Sequence, residues 1–167
     1  PDAVVRAEGD VCGATAMHLA AISGNAVIID SLIEAGGTVD SVVPQNGCAP
    51  LYYAADNGHS DVVQALLAAG ADLHRTSATG ASCVCAAARS GHTDVLMLLA
   101  SAGADLDMPM DNGATPAHLA AMAGQSEVLV TLHTLGADVD RVALVRGEEQ
   151  TPLKLAQRYG QMETAES

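Results

Sequence analysis

Phenylalanine and tryptophan are absent from these 167 residues, and tyrosine occurs only three times. Hydrophobic residues still make up 49% of the chain, so its core is filled by Ala, Leu, Val, Ile and Met. Alanine loses no side-chain entropy on entering a helix and lets neighbouring helices approach closely. The paucity of β-branched and aromatic alternation argues against a sheet protein. Basic residues are scarce too: seven Lys and Arg stand against 20 Asp and Glu, a formal net charge of −13. A surface of that sign repels phosphate backbones and anionic headgroups, which sets nucleic acid and bare membrane aside as partners. It suits a protein partner with a basic surface, or it serves solubility alone. Four cysteines (Cys12, Cys48, Cys83 and Cys85) lack the dense spacing of a secreted disulfide scaffold. Reduced thiols in an intracellular compartment, with the cytoplasm as the default, follow from that.

A chain of this length forms one domain. Between Asp10 and Asp30, 19 residues carry no formal charge, but Gly13, Thr15, His18, Ser23, Gly24 and Asn25 interrupt the run. Direct membrane insertion is therefore not expected.

What the chain does contain is an internal repeat. Thr15-Ala16-Met17-His18-Leu19-Ala20-Ala21 recurs as Ala49 to Ala55, Ser82 to Ala88, Thr115 to Ala121 and Thr151 to Gln157, with first residues 34, 33, 33 and 36 apart. A Gly follows nine residues after each opening, at Gly24, Gly58, Gly91, Gly124 and Gly160, and a second one 12 residues later, at Gly36, Gly70, Gly103 and Gly136. The opening Thr or Ser is placed to cap a helix, and Pro beside it suits the first helical position. The first Gly ends that short helix, an apolar run such as Asp61 to Leu67 forms a second, antiparallel one, and the next Gly closes it. Neither helix buries its apolar face alone, so neighbouring units must stack.

The pattern resembles the ankyrin repeat, with its Thr-Pro-Leu-His-x-Ala-Ala opening and Gly-Ala-Asp close. The resemblance implies an all-α solenoid of stacked antiparallel helix pairs with hairpin-like loops. Residues 10–43, 44–76, 77–109 and 110–145 form its repeats, 1–9 the trailing loop of an earlier repeat, and 146–167 a partial or capping one. In the last unit Thr164-Ala165 replaces pairs such as Val62-Val63 and Val95-Leu96, as a polar terminal cap or as a helix cut short at Ser167. A piece of a longer protein is the expectation. The resemblance also implies a protein–protein interaction module, not an enzyme and without cofactor or metal. The alternative is a permanently bound structural or scaffold subunit of a large assembly. Oligomeric state is left open.

Histidine and cysteine invite a metal, but the bland readings are stronger. The resemblance gives His18 and His118 a structural role, bonding the opening Thr and the backbone of a neighbouring loop. Cys83-Val84-Cys85 is one residue shorter than the usual zinc half-site, and no second pair lies nearby, so these thiols read as small hydrophobes. Cys48 comes near Cys83 if the units stack. There is no phosphate-binding Gly loop, nucleophile elbow or His-Glu-x-x-His pattern. The pairs Asp105/Asp107 and Asp138/Asp140 fall in loops that the repeat already explains.

In the family that this chain resembles, partners meet the concave face of loop tips and first helices. The matching candidates are Asn46, Thr79, Asp111 and Asn112 at the tips, and Ile22, Asp56, Asn57, Arg89, Met122, Arg158 and Tyr159 near the turn glycines. Tyr53 joins Arg89, Met122 and Tyr159 as an anchor, because Tyr and Arg dominate many interfaces. For Tyr52 and Tyr53, core filling is an equal reading. Leu144 belongs to an apolar run, Val142 to Val145, between Arg141 and Arg146 in the long loop 139–150. That run either makes a contact or folds back on its own repeat.

Overall fold

The computed structural model describes residues 4–5, 13–145 and 148–159. Two short strands come first, β1 (Val4–Val5) and β2 (Ala14–Thr15), paired antiparallel. Four helix pairs follow: α1 (Ala16–Ser23) with α2 (Ala26–Glu34), α3 (Pro50–Asp56) with α4 (Ser60–Ala68), α5 (Cys83–Ser90) with α6 (Thr93–Ser101), and α7 (Pro116–Ala123) with α8 (Ser126–Thr134). The strands β3 (Ala143–Val145) and β4 (Glu148–Gln150) form a second antiparallel ladder before α9 (Pro152–Arg158). The fold is the all-α helix-pair stack expected, with two small ladders added. Val11, Cys12, Arg146, Gly160 and the Thr164-Ala165 pair, along with most of 1–9, lie outside the described residues.

Local chemistry sets the helix ends. Pro stands in the first turn of α3, α7 and α9, where its missing N–H removes no intrahelical bond. Ser82 and Thr151 accept the N–H groups of Cys85 and Lys154 at 3.2 Å. In α1 and α7 the cap is reciprocal. His18 Nδ1 accepts the Thr15 N–H at 3.1 Å and lies 2.9 Å from the Thr15 hydroxyl, and His118 repeats this with Thr115 at 3.3 and 2.7 Å. With Nδ1 accepting, the proton sits on Nε2, which donates to the carbonyl of the next repeat, Cys48 for His18 and Gln150 for His118, each at 3.2 Å. Both imidazoles are buried, and burial lowers both pKa values below the usual 6.5. Each one therefore ties two repeats together as a neutral ring.

The first helices form one layer and the second helices another. Ala20, Ala21, Ala54, Ala55, Ala87, Ala88, Ala120 and Ala121 are all buried, so α1, α3, α5, α7 and α9 pack on one another in sequence. Leu66, Leu99 and Leu132 seal the core beneath the second layer. Register shows which neighbour does the covering. Val62, Val95 and Val128 are at most 1% exposed, while Ile28, at the same position of the first pair, is 45% exposed. The helix of the preceding pair is what hides this position.

Tyr52 and Cys85 replace the buried His in the two middle pairs. A cavity of about 10 Å³ lies beside Tyr52, lined by Cys48, Leu51, Tyr52, Arg75 and Cys83 among others. Cys48 and Cys83 do approach the same space. Burial pushes their thiols up to about 11 and about 12, so both stay protonated and unreactive.

Candidate functional site

The loop tips and the ends of the first helices make one continuous edge, held by a bond that recurs from pair to pair. His59 donates from Nε2 to the Ile22 carbonyl at 3.0 Å, and His92 to the Asp56 carbonyl at 3.1 Å. Gln125 stands in the same place, with Nε2 at 3.4 Å from the Arg89 carbonyl. Each donor begins a second helix and reaches back to the first helix of the preceding pair. The turn glycines allow it: a Cβ at Gly58 would lie 2.5 Å from His92 Nδ1, and one at Gly24 would lie 2.6 Å from His59 Nδ1. Gly58, with φ of 74°, is thus required twice, for its backbone angle and for the ring against it. This clamp fixes the backbone of Ile22, Asp56 and Arg89, three of the candidate contact residues.

The tips are joined in the same way. Ala78 donates its N–H to the Asn46 carbonyl at 2.7 Å, and Asp111 donates to the Thr79 carbonyl at 3.2 Å. Asn46, Thr79 and Asp111 therefore share one hydrogen-bonded row across three pairs. Within each tip, side chains hold the turn: Asn46 Oδ1 accepts from Cys48, Asn112 Oδ1 from Ala114, and the Thr79 hydroxyl lies 3.0 Å from that of Ser77. Thr79, Asp111 and Asn112 are exposed, whereas Asn46 is half-buried.

Among the proposed anchors the structure distinguishes sharply. Tyr53 packs against the core and accepts a hydrogen bond from Asn46 Nδ2 at 2.8 Å. Its ring also meets those of His18 and Tyr52 edge-on, with centroids 5.9 and 6.0 Å apart. Met122 is half-buried against Leu155 and Ala156. Arg89 is exposed but engaged: its Nη2 donates to Asp56 Oδ1 at 2.7 Å, and the Ser90 hydroxyl donates to the same oxygen at 2.8 Å. Burial works against the Arg89 charge, and Asp56 more than offsets it, so the guanidinium stays protonated. Asn57 is exposed and donates to the Tyr53 carbonyl at 2.8 Å.

Arg158 pairs with Glu148 at 2.6 Å, which pins α9 to the β3–β4 hairpin. Tyr159, just past α9, is exposed. In that hairpin Ala143 is buried while Val142 and Leu144 are 58% and 63% exposed. Alternation along the strand thus turns the apolar pair outward, and the backbone of Leu144 runs close to Gly113 of the neighbouring tip. The hairpin extends the tip row by one more step.

Two further contributors lie beside the predicted contact residues. Tyr52 lies beside Arg89, and Ser90 completes the Asp56 cluster. Asp56 and Arg89 stand 33 residues apart, the repeat length, which is the clue that links them.

A family model described as "Ankyrin repeats (3 copies)" matches residues 3–77 and 70–143. The chain is 41% identical over 70 residues to "Palmitoyltransferase Hip14" of Drosophila melanogaster, a match covering 42% of this chain and 11% of that protein. It is 42% identical over 67 residues to "Ankyrin repeat and KH domain-containing protein 1" of Homo sapiens, covering 40% of this chain and 2% of that protein. The matched regions are thus small parts of much longer relatives.

Proposed function

The chain belongs to the ankyrin-repeat family, and from that premise we propose that it binds a protein partner through the face built by its loop tips and first helices. Ankyrin repeats are generally protein–protein interaction modules. The observation that carries the reading for this chain is the hydrogen-bonded row Asn46–Ala78 and Thr79–Asp111. It gives a rigid, continuous edge, to which the exposed Val142 and Leu144 add apolar area. A prearranged edge binds without first losing the entropy of ordering loops. The polar side chains beside it, Asp56, Arg89 and Ser90, are engaged with one another, as suits a scaffold for recognition better than a catalytic set. With a net charge of −13 the partner's surface is basic. Buried free thiols at Cys48, Cys83 and Cys85 suit a reducing, intracellular compartment.

The test uses exposed residues that leave the fold intact. Ala78→Arg puts a cation on the middle tip, and Leu144→Asp removes the apolar tip of the hairpin. With a partner captured by the wild-type chain, each variant weakens its affinity by about tenfold or more at unchanged helix content by circular dichroism. Affinity unchanged in both variants would remove this face as the binding surface.

A further inference from the structure

The second-helix layer carries a charge pattern that the inner-face reading does not use. Across α2, α4, α6 and α8 stand five carboxylates, Asp30, Glu34, Asp61, Asp94 and Glu127, and no lysine or arginine. None of the five belongs to an ion pair among the described residues, whose ion pairs fall at Asp40, Asp56 and Glu148. Asp61, Asp94 and Glu127 sit in first turns, where an acid complements the helix dipole. That accounts for the acids and leaves the apolar residues beside them unexplained. Asp30, Gln64, Met97 and Val130 occupy one repeat position, and the last two are large, apolar and about half exposed, at 48% and 51%. A solvent position on an amphipathic helix ordinarily holds a polar side chain.

These features meet at an open groove of about 450 Å³ between α4 and α6, lined by Asp61, Gln64, Asp94, Met97 and Leu98. We infer that this groove docks an amphipathic basic helix of a protein partner, with apolar side chains on Met97 and Leu98 and Lys or Arg facing Asp61 and Asp94. Such helices lay one apolar stripe into a groove of this kind, and methionine adapts its unbranched chain to what lies on it. Charge complementarity selects the sign: an acidic helix or a nucleic acid meets uncompensated carboxylates here. The groove lies on the second helices, away from the loop tips, so both surfaces can be occupied together.

The experiment titrates the whole chain with a fluorescein-labelled synthetic peptide whose Leu residues fall at helical spacing and whose other positions are Lys, at ~0.15 M salt. A peptide with Glu in place of Lys serves as the opposite-sign probe. Saturable binding of the Lys peptide alone is expected. Met97→Glu and Asp94→Lys should each weaken it by about tenfold, while Asp140→Lys and Glu149→Lys, equal charge changes elsewhere, should alter it by less than about threefold. All four positions are exposed, so folding is not at stake. Equal losses from Asp94→Lys and Asp140→Lys would reduce the binding to general charge attraction and overturn the proposal. So would full affinity in Met97→Glu, or loss confined to Asp140→Lys. The Ala78→Arg and Leu144→Asp variants report on the inner face separately, so the failure of one surface does not imply failure of the other.

Discussion

Alanine at Gly58 and alanine at Gly70 ought to differ in what they do to the stack. Both glycines have positive φ, 74° and 84°, so both substitutions incur the left-handed penalty of about 1 kcal/mol. At Gly70 the new methyl group meets nothing within 4 Å, and the cost ends there. At Gly58 it lands 2.5 Å from His92 Nδ1 and 2.6 Å from Cε1, so the ring must swing away. The ring then gives up its 3.1 Å bond to the Asp56 carbonyl, a further loss of roughly 0.5–1.5 kcal/mol before any strain. The expected totals are about 1 kcal/mol for Gly70→Ala and about 2–3 kcal/mol for Gly58→Ala. In thermal melts of a domain this size these correspond to shifts of roughly 3 °C and 6–10 °C. Urea denaturation followed by circular dichroism measures both, and a cycle with His92→Ala isolates the clash. In the His92→Ala background Gly58→Ala should fall to the Gly70→Ala value. Equal destabilisation by Gly58→Ala and Gly70→Ala in the wild-type background would refute the clamp.

Burial holds the pKa of His18 and His118 below 6.5, so the unfolded chain binds more protons than the folded one. Stability is then fully present above about pH 6.5 and is lost as pH falls toward the folded values; the urea midpoint should drop between pH 7.5 and 5, and His118→Gln should remove roughly half of that slope. Ala49 caps α3 without a side-chain bond, at a position where Thr15 and Thr115 are also buried. Ala49→Thr is accordingly expected to raise stability by about 0.5–1 kcal/mol, read as a higher urea midpoint at unchanged slope. Leu99 is fully buried and Val27 is 75% exposed, so Leu99→Ala should destabilise by roughly 2–5 kcal/mol and Val27→Ala by under about 0.5 kcal/mol.

Much of this was readable because it is local. The Thr-Pro openings and the glycines mark helix ends through bonds within a few residues, and the helix pairs fall where those marks stand. Contacts between repeats are less legible. The pairing of Asp56 with Arg89, and of His92 with the Asp56 carbonyl, joins residues 33 and 36 apart, and single residue types do not announce such bonds. For Tyr53 the sequence left core filling and surface contact equal, since an amphipathic ring suits both; the structure packs it on the core beside His18. The run Val142 to Val145 is apolar throughout, so no alternation of residue type marked it as a strand. Three residues form β3, and the outward side chain of Leu144 follows from pairing with Glu149 across the hairpin. The groove between α4 and α6 was invisible in any one repeat. It emerges only when Gln64 and Met97 are set side by side at the same position.

The most direct measurement of the central claim places a photoreactive amino acid at Ala78 or Asn112, and at Thr134 as a control at the far end of α8, then irradiates the chain in extract from its own cells. Discrete cross-links to one protein from both tip positions, and none to it from Thr134, are the predicted result. A partner that cross-links from Thr134 and from neither tip would contradict recognition through the loop-tip face.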